Sequence, residues 1–163
     1  MTNKPTIRIE RQYAGPVDDL WWLWTTREGF ESWWGPEGFR VEVRKLDLRV
    51  GGELVYDMIA CAPEQIKWLR DNNMPASHGT NGKYVEVVPL KRLGISHMID
   101  FMPGVKPYEN RMFVEFVPEG RNVRMVVDID EHVTPEITRM ATEGFASQLL
   151  KLPAVLSARR GKS

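Results

Sequence analysis

TPEITRMATEGFASQLLKLP, residues 134–153, is the stretch on which the reading of the whole chain turns. Thr134 suits an N-cap and Pro135 the first helical position, where a missing N–H costs nothing. Ile137, Met140, Ala141, Phe145, Leu149 and Leu152 then recur at spacings of three and four, which predicts a long amphipathic helix. Pro153 should kink or end it, leaving Ala158 to Ser163 as a frayed basic tail.

Upstream of that helix the chain reads as strands. Thr6 to Gln12 alternates Ile7 and Ile9 with Arg8 and Glu10, as a half-buried strand requires. Pro16 suits the first position of a short helix, with Asp18 and Asp19 at its positive end and Val17, Leu20, Trp21 and Trp24 on one side. A second short helix is expected from Arg27 to Trp34, stopped by Gly35 and Pro36. From Phe39 the period changes to two, with a phase slip near Arg44 and Lys45 that a bulge explains. Gly51 and Gly52 form the turn of a hairpin whose second strand carries Leu54, Tyr56 and Met58 on one face. Residues 62–79 break the pattern as an inserted excursion, with a helical turn or two from Pro63 to Asn72 and loop from Met74 to Gly79. Lys83 to Val88, Arg92 to Phe101, Arg111 to Val117 and Asn122 to Asp130 complete the strands, separated by turn residues.

About seven antiparallel strands must bury one face, and only the last helix is long enough to cover it. Twist curls such a sheet around the helix, and a cavity between the two is the expected by-product. The fold class is therefore α+β, a curved sheet wrapped on a long helix near the carboxyl end, with two short helices after the first strand. With 163 residues, 42% of them hydrophobic, the chain suits one domain over residues 1–163.

Charge and cysteine content narrow the setting. Twenty-two Lys and Arg against 22 Asp and Glu leave no net field for a polyanion, which argues against nucleic acid and membrane surfaces as partners. The single cysteine, Cys61, forms no internal disulfide, and the polar first residues lack the apolar run of a signal peptide. No apolar stretch reaches the ~20 residues of a membrane helix. A cytoplasmic protein is expected.

The residues between Ala14 and Gly52 add a resemblance. PVDDLWWLWTT, WWGPEGFRVEV and LDLRVGG, continued by GKYVEVVPLKRL (82–93) and GFASQLLKL (144–152), resemble the bacterial activator-of-heat-shock-ATPase homologue family. That family sits in the SRPBCC superfamily with START and birch-pollen-allergen-like domains. The resemblance implies a helix-grip fold with a hydrophobic cavity for a small ligand. This sequence departs from the family pattern at Trp22, where a polar residue is usual, at Thr26 and Arg27, which replace a common Asp-Pro, and in the long 62–79 segment, which should reshape or lid the pocket mouth.

The expected inner wall follows from strand phase. Tyr56 and Met58 on one strand join Leu54; His97, Ile99 and Phe101 join Ile95 on another. Met112 and Val114 stand with Phe116, and Met125 with Val123 and Val127, all facing Met140, Phe145 and Leu149 on the helix. Trp33 and Trp34 either wall the cavity or plug the core beside the helix. His97 faces inward as a hydrogen-bond donor, an acid or base, or a neutral core histidine. Asp57 and Glu115 fall on the opposite, solvated face, so a paired-carboxylate mechanism is poorly supported. Trp22 lies off the apolar face of its helix; exposed there, and with sheet edges to cover, it raises the expectation of a homodimer.

Metal and cofactor chemistry find no support. Cys61, His78, His97 and His132 have no metal-ligand spacing, no third group orients a Cys61–His78 pair, and no glycine-rich phosphate cradle is present. The leading expectation is a carrier of a small, mostly apolar or aromatic ligand, with no cofactor. Two other readings stand beside it. The family name implies a co-regulator of a chaperone ATPase, although eukaryotic members use an additional domain for which 163 residues leave no room. Related folds also include cyclases and lyases, for which His97 and Tyr56 would be the acid or base and the hydrogen-bond donor.

Overall fold

The computed structural model describes residues 5–100, 102 and 104–161. Seven strands form one antiparallel sheet in the order β1-β7-β6-β5-β4-β3-β2. They are β1 (Thr6–Ala14), β2 (Phe39–Leu46), β3 (Glu53–Ala60), β4 (Ser77–Val88), β5 (Arg92–Ile99), β6 (Tyr108–Glu119) and β7 (Asn122–Asp130). Helices α1 (Val17–Thr25) and α2 (Arg27–Trp33) follow β1, α3 (Pro63–Asp71) lies between β3 and β4, and α4 (Pro135–Leu149) and α5 (Leu152–Gly161) close the chain. This is the α+β, helix-grip arrangement expected from the order of elements. The phase slip is a register shift between Val43 and Lys45 against β3.

Local chemistry sets the helix ends. Thr134 Oγ1 accepts from the Ile137 N–H at 3.1 Å, capping α4 ahead of Pro135. Thr26 does two jobs: its backbone N–H closes α1 on the Trp22 carbonyl, and its Oγ1 accepts from the Gly29 N–H at 3.0 Å to open α2. Pro16 is the N-cap of α1 rather than its first helical residue.

Several expectations need correction. Ser77–Gly82, expected in large part as loop, belongs to β4, paired with β3 from Ile59↔Ser77 onward. β6 starts at Tyr108 because its first residues pair with Ile99 and Met98. β5 ends at Ile99, and Phe101 lies outside the described residues. As expected, α4 ends ahead of Pro153, at Leu149, and the proline stands in the first turn of a separate helix, α5, where its missing N–H has no helical partner to lose. The basic tail is helical to Gly161 rather than frayed. Arg159 in it pairs with Asp19 of α1 at 3.1 Å and lies 3.8 Å above the ring of Trp22. Trp22 is accordingly half-buried under its own chain. Met140 is 54% exposed and takes no part in the inner wall.

α1 and α2 approach closely because Gly29 has no side chain. A Cβ on Gly29 would sit 2.7 Å from the Leu23 Cα and closer still to the Trp22 carbonyl oxygen. Neither backbone atom can move without separating the helices. Gly29→Ala should therefore lower stability by about 1–3 kcal/mol in urea denaturation. A variant as stable as the wild type would show that the two helices separate at no cost.

Candidate functional site

The inner face of the sheet is not uniformly packed. Leu93, Ile95, Val114 and Met125 are fully buried, whereas His97 and Ile99 keep 8% of their surface, Met112 7% and Asn110 6%. The less tightly covered residues sit toward one end. Strand register places Asn110 opposite His97 and His97 opposite Gly82, with Thr80 opposite Tyr56 one pair further. β7 leaves the sheet at this same end, at Asp130, and α4 begins five residues later at Pro135. Ile137, Ala141 and Thr142 in the first half of α4 are only half-buried, while Phe145, Gln148 and Leu149 in its second half are buried.

Polar side chains meet in this interior. Trp34 Nε1–H donates to the Tyr56 hydroxyl at 3.0 Å, and that hydroxyl lies 3.1 Å from His97 Nε2. Thr80 hydrogen-bonds the same hydroxyl. Tyr56 and His97 are on strands separated by β4, and they meet across Gly82, which has no side chain to stand between them. Phe30 stacks on Trp34 with centroids 4.5 Å apart, and Phe145 meets Trp34 edge-on at 6.0 Å. Burial raises the Tyr56 hydroxyl far above its ordinary value and lowers His97 to about 4, so both are neutral at neutral pH.

The structure sorts the expected site residues into two groups. Trp34, Tyr56, His97 and Phe145 are in mutual ring contact or hydrogen-bonded, with Met58 half-buried nearby and close to Gly35. Ile99 and Met112 line the same end of the sheet. Trp33 belongs to the core instead. It is fully buried, meets Trp24 at 5.0 Å, and donates from Nε1 to the Leu23 carbonyl at 2.9 Å. Val114, Met125 and Leu149 are packed in the same core cluster. Asp57 pairs with Arg44 at 2.6 Å on the other face, and Glu115 is exposed.

Thr80 and Gln148 are candidate site residues that sequence reasoning missed. Thr80 sits in the polar run SHGTNG, which carries no strand signal. Gln148 is a polar residue on the buried side of α4, and a helical wheel on Phe145 and Leu149 would have exposed it as such. Its Oε1 accepts from the Gly35 N–H at 3.1 Å. Ser147 and Lys151 add bonds to Glu37 N and to the Gly35 carbonyl, at 3.1 and 2.8 Å, so the end of α4 is fastened to the segment after Trp34.

Two further polar clusters lie outside this interior. Tyr108 hydroxyl lies 2.5 Å from His132 Nδ1 in an open depression of about 420 Å³ that Glu109 and Glu131 also line. It opens to solvent at the same end of the sheet, with Tyr108 paired to Ile99 two positions along from His97. Cys61 is exposed and its thiol donates to the Gly38 carbonyl. Among the described residues no three His, Cys or carboxylate groups converge on a metal position, and no helix is long and apolar enough to cross a membrane.

The depressed histidine has a thermodynamic consequence. Its ordinary value is 6.5 and its value in the folded chain about 4. Between these the unfolded chain binds a proton that the folded chain refuses, so stability is full above about pH 6.5 and falls as pH drops toward 4. His78 and His132, also lowered by burial, act in the same direction. Urea denaturation at about pH 7 and about pH 4.5 should show the wild type losing about 2 kcal/mol more than His97→Gln does. Equal losses would mean that His97 is not the group resisting protonation.

Comparison with known proteins agrees with this architecture. The AHSA1 protein from Silicibacter pomeroyi superposes with a TM-score of 0.75 at 23% identity, covering 95% of this chain and 99% of that one. A protein from Nitrosomonas europaea gives 0.74 at 21% identity over 99% of both chains. CalU16 from Micromonospora echinospora gives 0.62 at 17% identity over 96% of this chain and 79% of that one. No curated protein matches the chain. The family described as activator of Hsp90 ATPase homolog 1-like protein matches residues 14–157. With its grip of sheet on helix and nearly its whole length matched, the chain belongs to that family.

Proposed function

We propose that the protein binds a small, mostly apolar ligand between the inner face of its sheet and α4, with the polar end of the ligand at Tyr56 and His97. The observation that carries this reading is the hydrogen-bonded chain Trp34–Tyr56–His97 inside an otherwise apolar interior. A core that serves stability alone gains little from a buried polar chain, because each member must stay satisfied. The looser cover at the same end, where α4 is half-buried, gives a ligand its way in. Trp34, Phe145, Ile99 and Met112 supply the apolar walls, and Met58 and Met112 supply side chains that adapt their shape.

The neutral state of both polar residues favours binding over acid–base catalysis. A neutral imidazole beside a protonated tyrosine presents directional hydrogen bonds, and neither group is poised to exchange a proton near neutral pH. The chaperone-ATPase reading rests on the family description alone.

Native mass spectrometry of the purified protein, followed by release and identification of bound molecules, tests the proposal. The expected result is a discrete added mass that is lost on denaturation and is absent or strongly reduced in His97→Phe. A bare mass for the wild type, persisting after incubation with apolar extracts, would overturn it.

A further inference from the structure

The proposed site also carries a direction of polarity, and the proton count around Tyr56 reveals it. An indole N–H can only donate, so the Tyr56 oxygen accepts from Trp34. Thr80 occupies the hydroxyl's other side. In one of the two imidazole tautomers the hydroxyl proton of Tyr56 goes to His97 Nε2, which accepts it at 3.1 Å. A neutral imidazole that accepts at Nε2 carries its proton on Nδ1. That N–H makes no hydrogen bond among the described residues, so the chain ends in a free donor.

A second donor stands unpaired beside Trp34. Gln148 is 3% exposed, and with its Oε1 committed to the Gly35 N–H, its Nε2 has no partner. Trp24 Nε1, in ring contact with both Trp34 and Phe145, is likewise buried and unpartnered. Buried donors left without acceptors are costly and rare in folded chains. The amide and the ring nitrogens offer protons and no lone pair. The hydroxyls of Tyr13 and Tyr84, also unpartnered, can donate as well.

We propose that the site selects, among apolar molecules, those that carry an uncharged hydrogen-bond acceptor such as a ketone or aldehyde carbonyl. Gln148 Nε2–H on α4 takes the acceptor, and the His97 imidazole on β5, in its Nδ1–H tautomer, is a second donor. Amines and other donor-only groups find no counterpart there. This inference rests on the ligand-binding reading above and adds the chemical class of the ligand.

The test is a matched pair of probes, 4-phenylcyclohexanone and phenylcyclohexane, titrated against the intact protein and followed by tryptophan fluorescence. They share a carbon skeleton and differ in the carbonyl. A site with no donor prefers the hydrocarbon, because the ketone gives up its hydrogen bonds to water and regains none. The expected result is a ketone bound at least as tightly as the hydrocarbon. In Gln148→Glu, which keeps an acceptor for the Gly35 N–H but loses the free donor, the ketone-to-hydrocarbon affinity ratio should fall at least tenfold. If that variant does not fold, Gln148→Met makes the same comparison. A purely structural Gln148 would weaken both probes alike and leave the ratio unchanged, which overturns the assignment, as does a wild-type preference for the hydrocarbon. Failure of both probes to bind overturns the ligand site itself, a result distinct from binding without preference.

Discussion

Everything else in this molecule is arranged around the indole of Trp24. Its ring meets Trp33 at 5.0 Å, Trp34 at 5.3 Å, Phe116 at 6.2 Å and Phe145 at 6.4 Å. Those partners belong to α2 and the residue after it, to β6 and to α4, so one side chain of α1 joins both helical layers to the sheet. Three of the contacts are edge-to-face, the arrangement aromatic quadrupoles prefer, each worth about 0.5–1.5 kcal/mol beyond the area buried. Trp34 is then placed by its neighbours. Phe30 lies flat against it on one side, and its N–H is turned to Tyr56. The aromatic core and the polar chain are consecutive parts of one assembly, with Trp34 in both.

That continuity explains how much of the chain could be read beforehand. The bulge between Val43 and Lys45, the Thr134 cap and the two short helices announce themselves through local chemistry, and they emerge at the expected places. The inward positions of His97, Tyr56 and Phe145 follow from period two and period three-to-four. Residues set by distant partners are not visible in this way. Ser77 to Gly82 has weak strand propensity and becomes strand because β3 and β5 close on it from both sides. Pro153 marks the end of α4, but nothing local says that a second helix starts there and carries Leu156 into the core beside Leu152; both are buried in α5. Met140 satisfies the helical spacing yet is exposed, in the half of α4 where Ile137, Ala141 and Thr142 are only half-buried.

The polar residues of the site divide along the same line. Tyr56 and His97 could be nominated from composition and phase, but their bond requires a gap in the strand between them, and Gly82 provides it. Gln148 and Thr80 carry no apolar signal at all. A search for the unexpected polar residue on a buried helical stripe would have found Gln148; Thr80 has meaning only opposite Tyr56 in register.

The pairing of β1 with β7 has a consequence for how the chain comes to be. Arg8 and Asp128, joined in the finished sheet, are 120 positions apart. At a synthesis rate of about 5–20 residues per second, β1 waits on the order of ten seconds before its only neighbour exists. Throughout that interval it is an unpaired edge, the kind of segment that recruits other chains. Arg8, Glu10, Arg11 and Gln12 interrupt its apolar residues with charge and amide, so the first strand made is also one that tolerates waiting.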